Sequence, residues 1–180
     1  MNLEPTVYSD GAQHSDSLAG AASIVVINGK KFKLLSHLGS LKSSEAELWA
    51  FIIGLSALRI VDPSIEKLKW ISDSKSSQTA LHSKNDNKHI LEWKIVNQYL
   101  KNIDVSCEFK NRRIKDRYLN QCDKASRWAA KKMNLSRGVC SVYGKNTKPE
   151  AHWLDINLFK DGKLTSEIEQ INSNLRSCLK

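Results

Sequence analysis

The stretch Ser44-Glu45-Ala46-Glu47-Leu48-Trp49-Ala50 opens an apolar run that continues to Val61. The apolar residues of this run recur at the i, i+4 and i+7 spacing of one helical face. They are Leu48, Ile52 and Leu55. This spacing predicts a helix whose apolar face packs into a core, and it places acidic side chains where the helix begins.

Two glutamates stand at that position, and only one can face a given site. Glu45 and Glu47 lie about 200° apart around a helix that turns about 100° per residue. Periodicity alone does not choose between them, and a glutamate in a first turn ordinarily stabilises the positive end of the helix dipole. Ser43 and Ser44 are predicted to be the N-caps of this helix.

Three aspartates occupy comparable settings. Asp10 ends one predicted strand, Asp73 ends another, and Asp123 is predicted to open a later helix. Taken singly, each acid fits an ordinary role as a turn former, a dipole partner or a helix cap. Carboxylates at the ends of neighbouring elements can also converge on one point, where a divalent cation would offset their repulsion. The four acids together favour one metal site over four separate structural roles.

Four short motifs surround these acids in a fixed order. They read Ser9-Asp10-Gly11-Ala12, Glu47-Leu48-Trp49-Ala50, Ser72-Asp73-Ser74 and Asn120-Gln121-Cys122-Asp123-Lys124-Ala125-Ser126. Over about residues 5 to 135, the series resembles type 1 ribonuclease H of the retroviral-integrase-like nuclease superfamily. That family has Asp-Gly-Ser/Ala, Glu-Leu-x-Ala, Asp-Ser and Asn-x-x-x-Asp-x-x-Ala in these places. The second motif selects Glu47 over Glu45.

The resemblance implies an α/β fold with a five-stranded mixed sheet, three antiparallel strands followed by two parallel ones, and helices on both faces. The residues agree with this order. Asn28-Gly29, a dipeptide favoured in tight hairpins, separates two runs with strand character. A fifth strand is predicted over 105–109, ahead of a basic loop. The catalytic domain is predicted to cover residues 1–137.

The same resemblance implies a metal-dependent endoribonuclease that hydrolyses the RNA strand of RNA–DNA hybrids and leaves 5′-phosphate ends. It implies that four residues are catalytic and hold two Mg²⁺ or Mn²⁺ ions ~3.5–4 Å apart. They are Asp10, Glu47, Asp73 and Asp123. The hybrid would be recognised through its 2′-hydroxyls and phosphates. Candidate residues for these contacts are Ser43, Ser44, Asn111 and Arg113.

The chain departs from the family pattern in two places. They are its basic loop and the segment where many members have a helical insertion. Many members carry a histidine about ten residues before the last aspartate, where this chain has Arg113. Arginine can hold a phosphate, but its high pKa makes it a poor proton shuttle. Asn120 precedes Asp123 by three residues rather than four. The segment before the fifth strand also looks too short for the basic handle of many bacterial members.

Residues 138–180 are predicted to form a linker, over 138–149, and a C-terminal β–α extension. Alternating leucine and isoleucine between Leu154 and Leu158 predict a strand, and Asp161-Gly162 predicts a turn. An apolar stripe from Leu164 onward predicts a helix. We favour an extension that packs on the core; the alternatives are a surface for a protein partner or self-association, or part of the grip on the substrate.

The charged residues indicate the class of partner, and the cysteines indicate the cellular location. The chain has a formal net charge of +9, and residues 101–148 hold thirteen Lys or Arg against four Asp or Glu. A basic flank beside an acidic cluster favours nucleic acid as the partner, with an RNA–DNA hybrid implied by the resemblance. No apolar run approaches the about 20 residues of a membrane span. Four widely separated cysteines favour reduced thiols and a cytoplasmic location.

Two other functions stay open at this stage. A nucleic-acid-binding module could keep the fold without turnover, and a DNA nuclease or resolvase-like enzyme could use the same fold. The altered basic loop motivates the first alternative, whereas the presence of all four acids argues against it.

Overall fold

The computed structural model of this chain describes residues 4–14, 18–83, 89–111, 116–131, 139–143, 149–155, 159–160 and 163–164. Within these residues, three consecutive strands are followed by helices and further strands, the mixed order of an α/β protein. The strands are β1 (Thr6–Gln13), β2 (Leu18–Ile27), β3 (Lys30–Ser40), β4 (Lys67–Ser72), β5 (Asp104–Phe109), β6 (Val139–Tyr143), β7 (Pro149–Asp155), β8 (Phe159–Lys160) and β9 (Lys163–Leu164). The helices are α1 (Ser43–Val61), α2 (Lys75–Ser83), α3 (Ile90–Tyr99) and α4 (Arg117–Lys131). None of the described helices is long and apolar enough to cross a membrane.

The main sheet confirms the predicted five-strand arrangement and extends it. Its order is β5-β4-β1-β2-β3-β7-β6. Strands β1, β2 and β3 pair antiparallel, while β4 pairs parallel to β1 and β5 pairs parallel to β4. Beyond β3, the sheet gains β7, which pairs in parallel at Leu34 and Leu35, and then β6.

The hairpin between β2 and β3 forms at the predicted dipeptide. Asn28 and Gly29 have φ angles of 49° and 74°. Positive φ at both central residues is the requirement of a two-residue turn that matches the twist of its strands, and asparagine and glycine meet it at least cost. Strand β2 begins at Leu18 and includes Gly20.

One face of the sheet is covered by α1, with α3 packed behind it. Every residue of α1 from Ala46 to Leu58 is buried, so this part of the helix is enclosed on all sides. The rings of Phe51 on α1 and Trp70 on β4 stack with their centroids 3.7 Å apart. Trp70 also donates a 2.8 Å hydrogen bond from Nε1 to Ser9 Oγ, which ties β4 to β1.

The other face is covered by α4, whose buried side chains are small. They are Cys122, Ala125, Ser126, Ala129 and Ala130. A β-carbon at Gly20 on β2 would lie 2.3 Å from the carbonyl oxygen of Ser126 and 2.4 Å from the nitrogen of Ala130. The absence of a side chain at Gly20 therefore lets α4 lie unusually close to the sheet.

Two helix starts differ from the sequence prediction. The N-cap of α1 is Lys42, so Ser43 and Ser44 lie in the first turn, and Glu45 accepts a 2.7 Å hydrogen bond from the Lys42 backbone N–H. Helix α4 begins at Arg117, so Asp123 lies inside the helix and does not open it.

The residues predicted as a linker and extension contribute to the sheet. Strand β6 lies within the predicted linker, 138–149, and Trp153 of β7 is buried against α4 and β2. Strands β8 and β9 pair antiparallel on either side of Asp161-Gly162. Residues 165–180, where a helix was predicted, lie outside the described residues. The division of the chain at residue 137 stays a prediction.

We expect Gly20→Ala to lower the free energy of unfolding by about 2 kcal/mol, because the added methyl group would overlap backbone atoms of α4. Urea denaturation followed by tryptophan fluorescence measures the change. Gly29→Asn is the control, because the space around Gly29 is open and asparagine tolerates its positive φ. Equal stability of the two variants would contradict the close contact between α4 and β2.

Candidate metal centre

Three of the four predicted acids meet at one edge of the sheet. Asp10, Glu47 and Asp73 each present a carboxylate oxygen, and these oxygens lie within 4.8 Å of one another. Asp10 and Glu47 are buried, with 3% and 7% of their surface exposed, while Asp73 is partly buried. The sequence prediction that these three residues converge is therefore confirmed in space.

The parallel pairing of β1 and β4 explains why the two aspartates meet. Their register pairs Tyr8 with Ile71. Two further residues along each strand bring Asp10 level with Asp73, where the carboxyl ends of both strands reach the same edge of the sheet. Parallel strands expose their carboxyl ends together, and ligand sites of α/β proteins form there.

Glu47 reaches the same place because α1 begins directly against β1. A β-carbon on Gly11 would lie 2.3 Å from both the carbonyl carbon of Ala46 and the nitrogen of Glu47. Only glycine permits this approach of strand to helix. The Asp10-Gly11 pair thus supplies both one of the clustered acids and the space that Glu47 on the neighbouring helix needs.

The donor set fits a hard divalent cation. Three carboxylates offer oxygen donors only, which suits Mg²⁺ or Mn²⁺ and disfavours metals that prefer thiolate or imidazole. No histidine or cysteine joins the group among the described residues. Three negative groups this close would repel one another strongly in a partly buried site, and a bound cation would remove that repulsion.

Asp123 stands beside this group rather than within it. It lines a pocket of about 250 Å³ together with Asp10 and Asp73, so the predicted fourth acid does face the site. Its Oδ1 lies 2.8 Å from Nη2 of Arg127, one turn further along α4. The geometry therefore brings three acids into one cluster, and the assignment of Asp123 as a ligand stays a prediction.

Three of the predicted substrate-binding residues line cavities at the site. Ser43 and Ser44 line an open groove of about 690 Å³ that also contains Glu47 and Asp73. Asn111 lines the smaller pocket beside Asp10. Arg113 lies outside the described residues, so its assignment stays a prediction.

Lys110 and Asp116 form an ion pair at this pocket that the sequence analysis missed. Lys110 Nζ lies 2.7 Å from Asp116 Oδ2 and 3.4 Å from Glu108 Oε1. The hydrogen bond to Asp116 raises the pKa of Lys110. Asp116 also caps α4, because its Oδ1 accepts hydrogen bonds from the N–H groups of Tyr118 and Leu119 at 2.9 and 3.0 Å.

The pKa of Asp116 is lowered despite an opposing effect of burial. Desolvation alone would raise it, but the hydrogen bonds from Lys110, Leu119 and Tyr118 outweigh that effect. One sequence signal could have located the pair. Lys110 directly follows β5, which is parallel to β4, so it had to emerge at the same sheet edge as Asp73.

The chain has a ribonuclease H-like fold, with three clustered acids at one edge of its sheet. The chain belongs to the reverse transcriptase-like family, whose sequence profile matches residues 8–129. No curated protein matches the chain closely enough to add to this comparison.

Solved structures of ribonucleases H share this fold at low sequence identity. Ribonuclease H1 of Halobacterium salinarum aligns with a TM-score of 0.57 and 21% identity, over 72% of this chain and 98% of its own. LC11 ribonuclease H1, in complex with an RNA/DNA hybrid, aligns with a TM-score of 0.61 and 12% identity, over 71% and 97%. The N-terminal ribonuclease H domain of a Mycobacterium tuberculosis protein aligns with a TM-score of 0.56 and 17% identity, over 72% and 94%.

We expect the contribution of Asp116 to stability to depend on pH. Its folded-state pKa is lowered, so the contribution is present above the unfolded pKa and is lost as pH falls through the folded value. Asp116→Asn keeps a capping side chain but removes the charge, and we expect a loss of about 1 kcal/mol at pH 7. Urea unfolding at several pH values measures this difference, which should shrink below about pH 4. A difference that stays constant into acid would contradict the ion pair.

We also expect Mn²⁺ to raise the melting temperature of the chain by several degrees and EDTA to reverse the rise, because a ligand that binds only the folded state stabilises it. Asp73→Asn should abolish most of this shift by removing one of the three clustered carboxylates. Differential scanning fluorimetry measures both effects. Asp104→Asn is the matched control, since this exposed aspartate begins β5 at the opposite edge of the sheet. An equal shift in Asp73→Asn and Asp104→Asn would contradict the metal centre.

Proposed function

We propose that this chain is a metal-dependent endoribonuclease that hydrolyses the RNA strand of RNA–DNA hybrids, leaving 5′-phosphate and 3′-hydroxyl ends. The observation that carries the proposal is the cluster of Asp10, Glu47 and Asp73 on a ribonuclease H fold. A fold alone does not fix a function, but a cluster of buried acids at the carboxyl ends of parallel strands is a site with a defined chemistry.

In this proposal, Asp10, Glu47 and Asp73 hold Mg²⁺ or Mn²⁺, and Asp123 approaches as a fourth ligand. Two bound ions would supply an activated water and offset the charge that develops on the phosphate. The chain itself fixes the carboxylates before metal arrives, because Asp10 and Glu47 lie on buried, packed elements. Fixed ligands lose little freedom when they bind, which favours both affinity and geometry.

The groove beside the cluster suits a polyanionic, hydroxyl-bearing substrate. Lys42 and Lys75 line it as cations, and four serines add hydroxyl groups. They are Ser43, Ser44, Ser74 and Ser76. Cations attract phosphates, while serine hydroxyls and the amide of Asn111 can pair with 2′-hydroxyls, the groups that distinguish RNA from DNA. The hybrid bound by LC11 ribonuclease H1 supports the same substrate class for this chain.

A second function, hybrid binding without turnover, is favoured by one observation. Asp123 pairs with Arg127 and stands apart from the three clustered acids. A site that holds its fourth acid in this way could bind nucleic acid and metal yet turn over slowly. The cleavage assay below separates the two functions.

We expect Mg²⁺ or Mn²⁺ to support cleavage of the RNA strand in a labelled hybrid of 12 to 20 base pairs, with no cleavage in EDTA. Asp10→Asn and Glu47→Gln should each lower kcat by at least about 100-fold, because each removes a metal ligand. Glu45→Gln is the matched control on the same helix, since Glu45 caps the helix start. The assay resolves products on a denaturing gel, beside matched RNA and DNA duplexes.

Each outcome of that assay decides between functions. Cutting of the hybrid's RNA strand alone supports the proposed enzyme. Cutting of duplex DNA would replace it with a DNA nuclease of the same fold. Binding of the hybrid without cutting in either metal would favour the binding module, and full activity in Asp10→Asn would refute the assigned ligands.

A further inference from the structure

Asp10 accepts a hydrogen bond from a side chain outside the acidic cluster. Ser126 on α4 donates its hydroxyl to Oδ2 of Asp10 at 2.5 Å, and its side chain is fully buried. The family pattern has alanine at this place in the fourth motif, so the hydroxyl is a feature of this chain. The contact joins the metal cluster to the helix on the opposite face of the sheet.

The contact between Ser126 and Asp10 forms because α4 runs alongside β1. One turn before Ser126, the thiol of Cys122 points at the carbonyl of Tyr8, 3.7 Å away, two residues before Asp10. Four residues of helix rise about 6 Å and two residues of strand about 6.6 Å, so helix and strand advance in step. The pairs Cys122–Tyr8 and Ser126–Asp10 therefore belong to one packing arrangement.

Because α4 lies close to the sheet, the hydroxyl of Ser126 can reach Asp10. Gly20 admits the backbone of α4 at Ser126 and Ala130, as described above. A hydroxyl on a short side chain spans the remaining distance to β1, whereas alanine in the same place could not. Ser126 Oγ also lies 3.1 Å from the backbone carbonyl of Asp123, three residues earlier in α4.

The single hydroxyl proton cannot serve both acceptors fully. A serine inside a helix often returns its proton to a carbonyl of the preceding turn. Here the competing acceptor is a buried carboxylate, and hydrogen bonds to charged acceptors are about twice as strong as neutral ones. The proton is therefore directed mainly to Asp10, and Oδ2 is held toward α4.

We propose that Ser126 is a positioning residue for the metal centre: its hydroxyl holds one oxygen of Asp10 and thereby orients the other toward Glu47 and Asp73. The inference rests on the proposed function, because it assumes that the cluster holds a divalent cation. Groups that hydrogen-bond to metal ligands typically change metal affinity or activity by about 10- to 100-fold when removed. We expect an effect near the lower end of that range, since one of several ligands is affected.

The test compares two buried helical serines in the full-length chain. Ser126→Ala removes the hydroxyl that contacts Asp10. Ser56→Ala is the matched control, because Ser56 on α1 is also fully buried but donates to the carbonyl of Ile52 in its own helix, at 2.8 Å. Isothermal titration with Mn²⁺ alone gives the Kd of each variant without nucleic acid, and circular dichroism checks that each variant is folded.

We expect Ser126→Ala to raise the Kd for Mn²⁺ roughly tenfold and Ser56→Ala to leave it within twofold of the unsubstituted chain. In the hybrid assay, the Mn²⁺ concentration for half-maximal rate should shift by the same factor, while the KM for hybrid stays unchanged. If Ser126→Ala does not fold, Ser126→Cys takes its place in both measurements. Cysteine is similar to serine in size, but its thiol is only a weak hydrogen-bond donor.

The outcomes separate this inference from the proposed function. An unchanged or lower Kd in the Ser126 variant, or an equal rise in both variants, would overturn the positioning role while leaving the metal centre intact. A chain that binds no Mn²⁺ at all would overturn the metal centre and the inference with it. Weaker Mn²⁺ binding in Ser126→Ala together with no hybrid cleavage would support the positioning role and refute only the enzymatic function.

Discussion

The repulsion among three carboxylates within 4.8 Å is the constraint that the rest of this structure must satisfy. Such a cluster destabilises the folded chain unless a cation is bound, so packing elsewhere has to hold the acids in place. A ring stack and a buried hydrogen bond lie close to them along the chain. Trp70, three residues before Asp73, stacks on Phe51 of α1 and hydrogen-bonds to Ser9, the neighbour of Asp10. One side chain thus fixes β4, β1 and α1, the three elements that carry the acids.

The two faces of the sheet contribute differently to the site. The α1 face supplies large, interlocking side chains and one acid, Glu47. On the other face, the buried side chains of α4 are small, so α4 approaches the sheet closely and can place polar groups against β1. Large side chains make the packing of α1 rigid, whereas small side chains on α4 let that helix lie close to the sheet. The site needs both, because a ligand set must be held firmly and also be reached by residues from a second helix.

The sequence predicted the parts of this structure that are encoded locally. The hairpin at Asn28-Gly29 and the acids Asp10 and Asp73 could be predicted because turn chemistry and strand ends are properties of short segments. The start of α4 was missed because the resemblance placed the helix start at Asp123, although the buried residues of α4 recur at helical spacing from Cys122 to Ala130. Asp116, which caps α4, lies in the basic stretch before the helix and was not recognised as the cap. Packing of the C-terminal extension on the core was predicted, but its pairing with β3 was not, because a parallel contact between segments so far apart leaves no local signal.

The cations beside the site are held by acids that are not part of the cluster. Lys110 is bound by Asp116 and Glu108, and Arg127 is bound by Asp123. Both cations line the pocket that contains Asp10, and a mobile lysine or arginine there could compete with a metal ion for the clustered carboxylates. Ion pairing holds each cation at the pocket wall, where in the proposed enzyme it would lower the cost of bringing a phosphate toward the acids. In the proposed enzyme, these pairs would reconcile two opposite requirements, a negative centre that attracts metal and a border of cations that admits a polyanion.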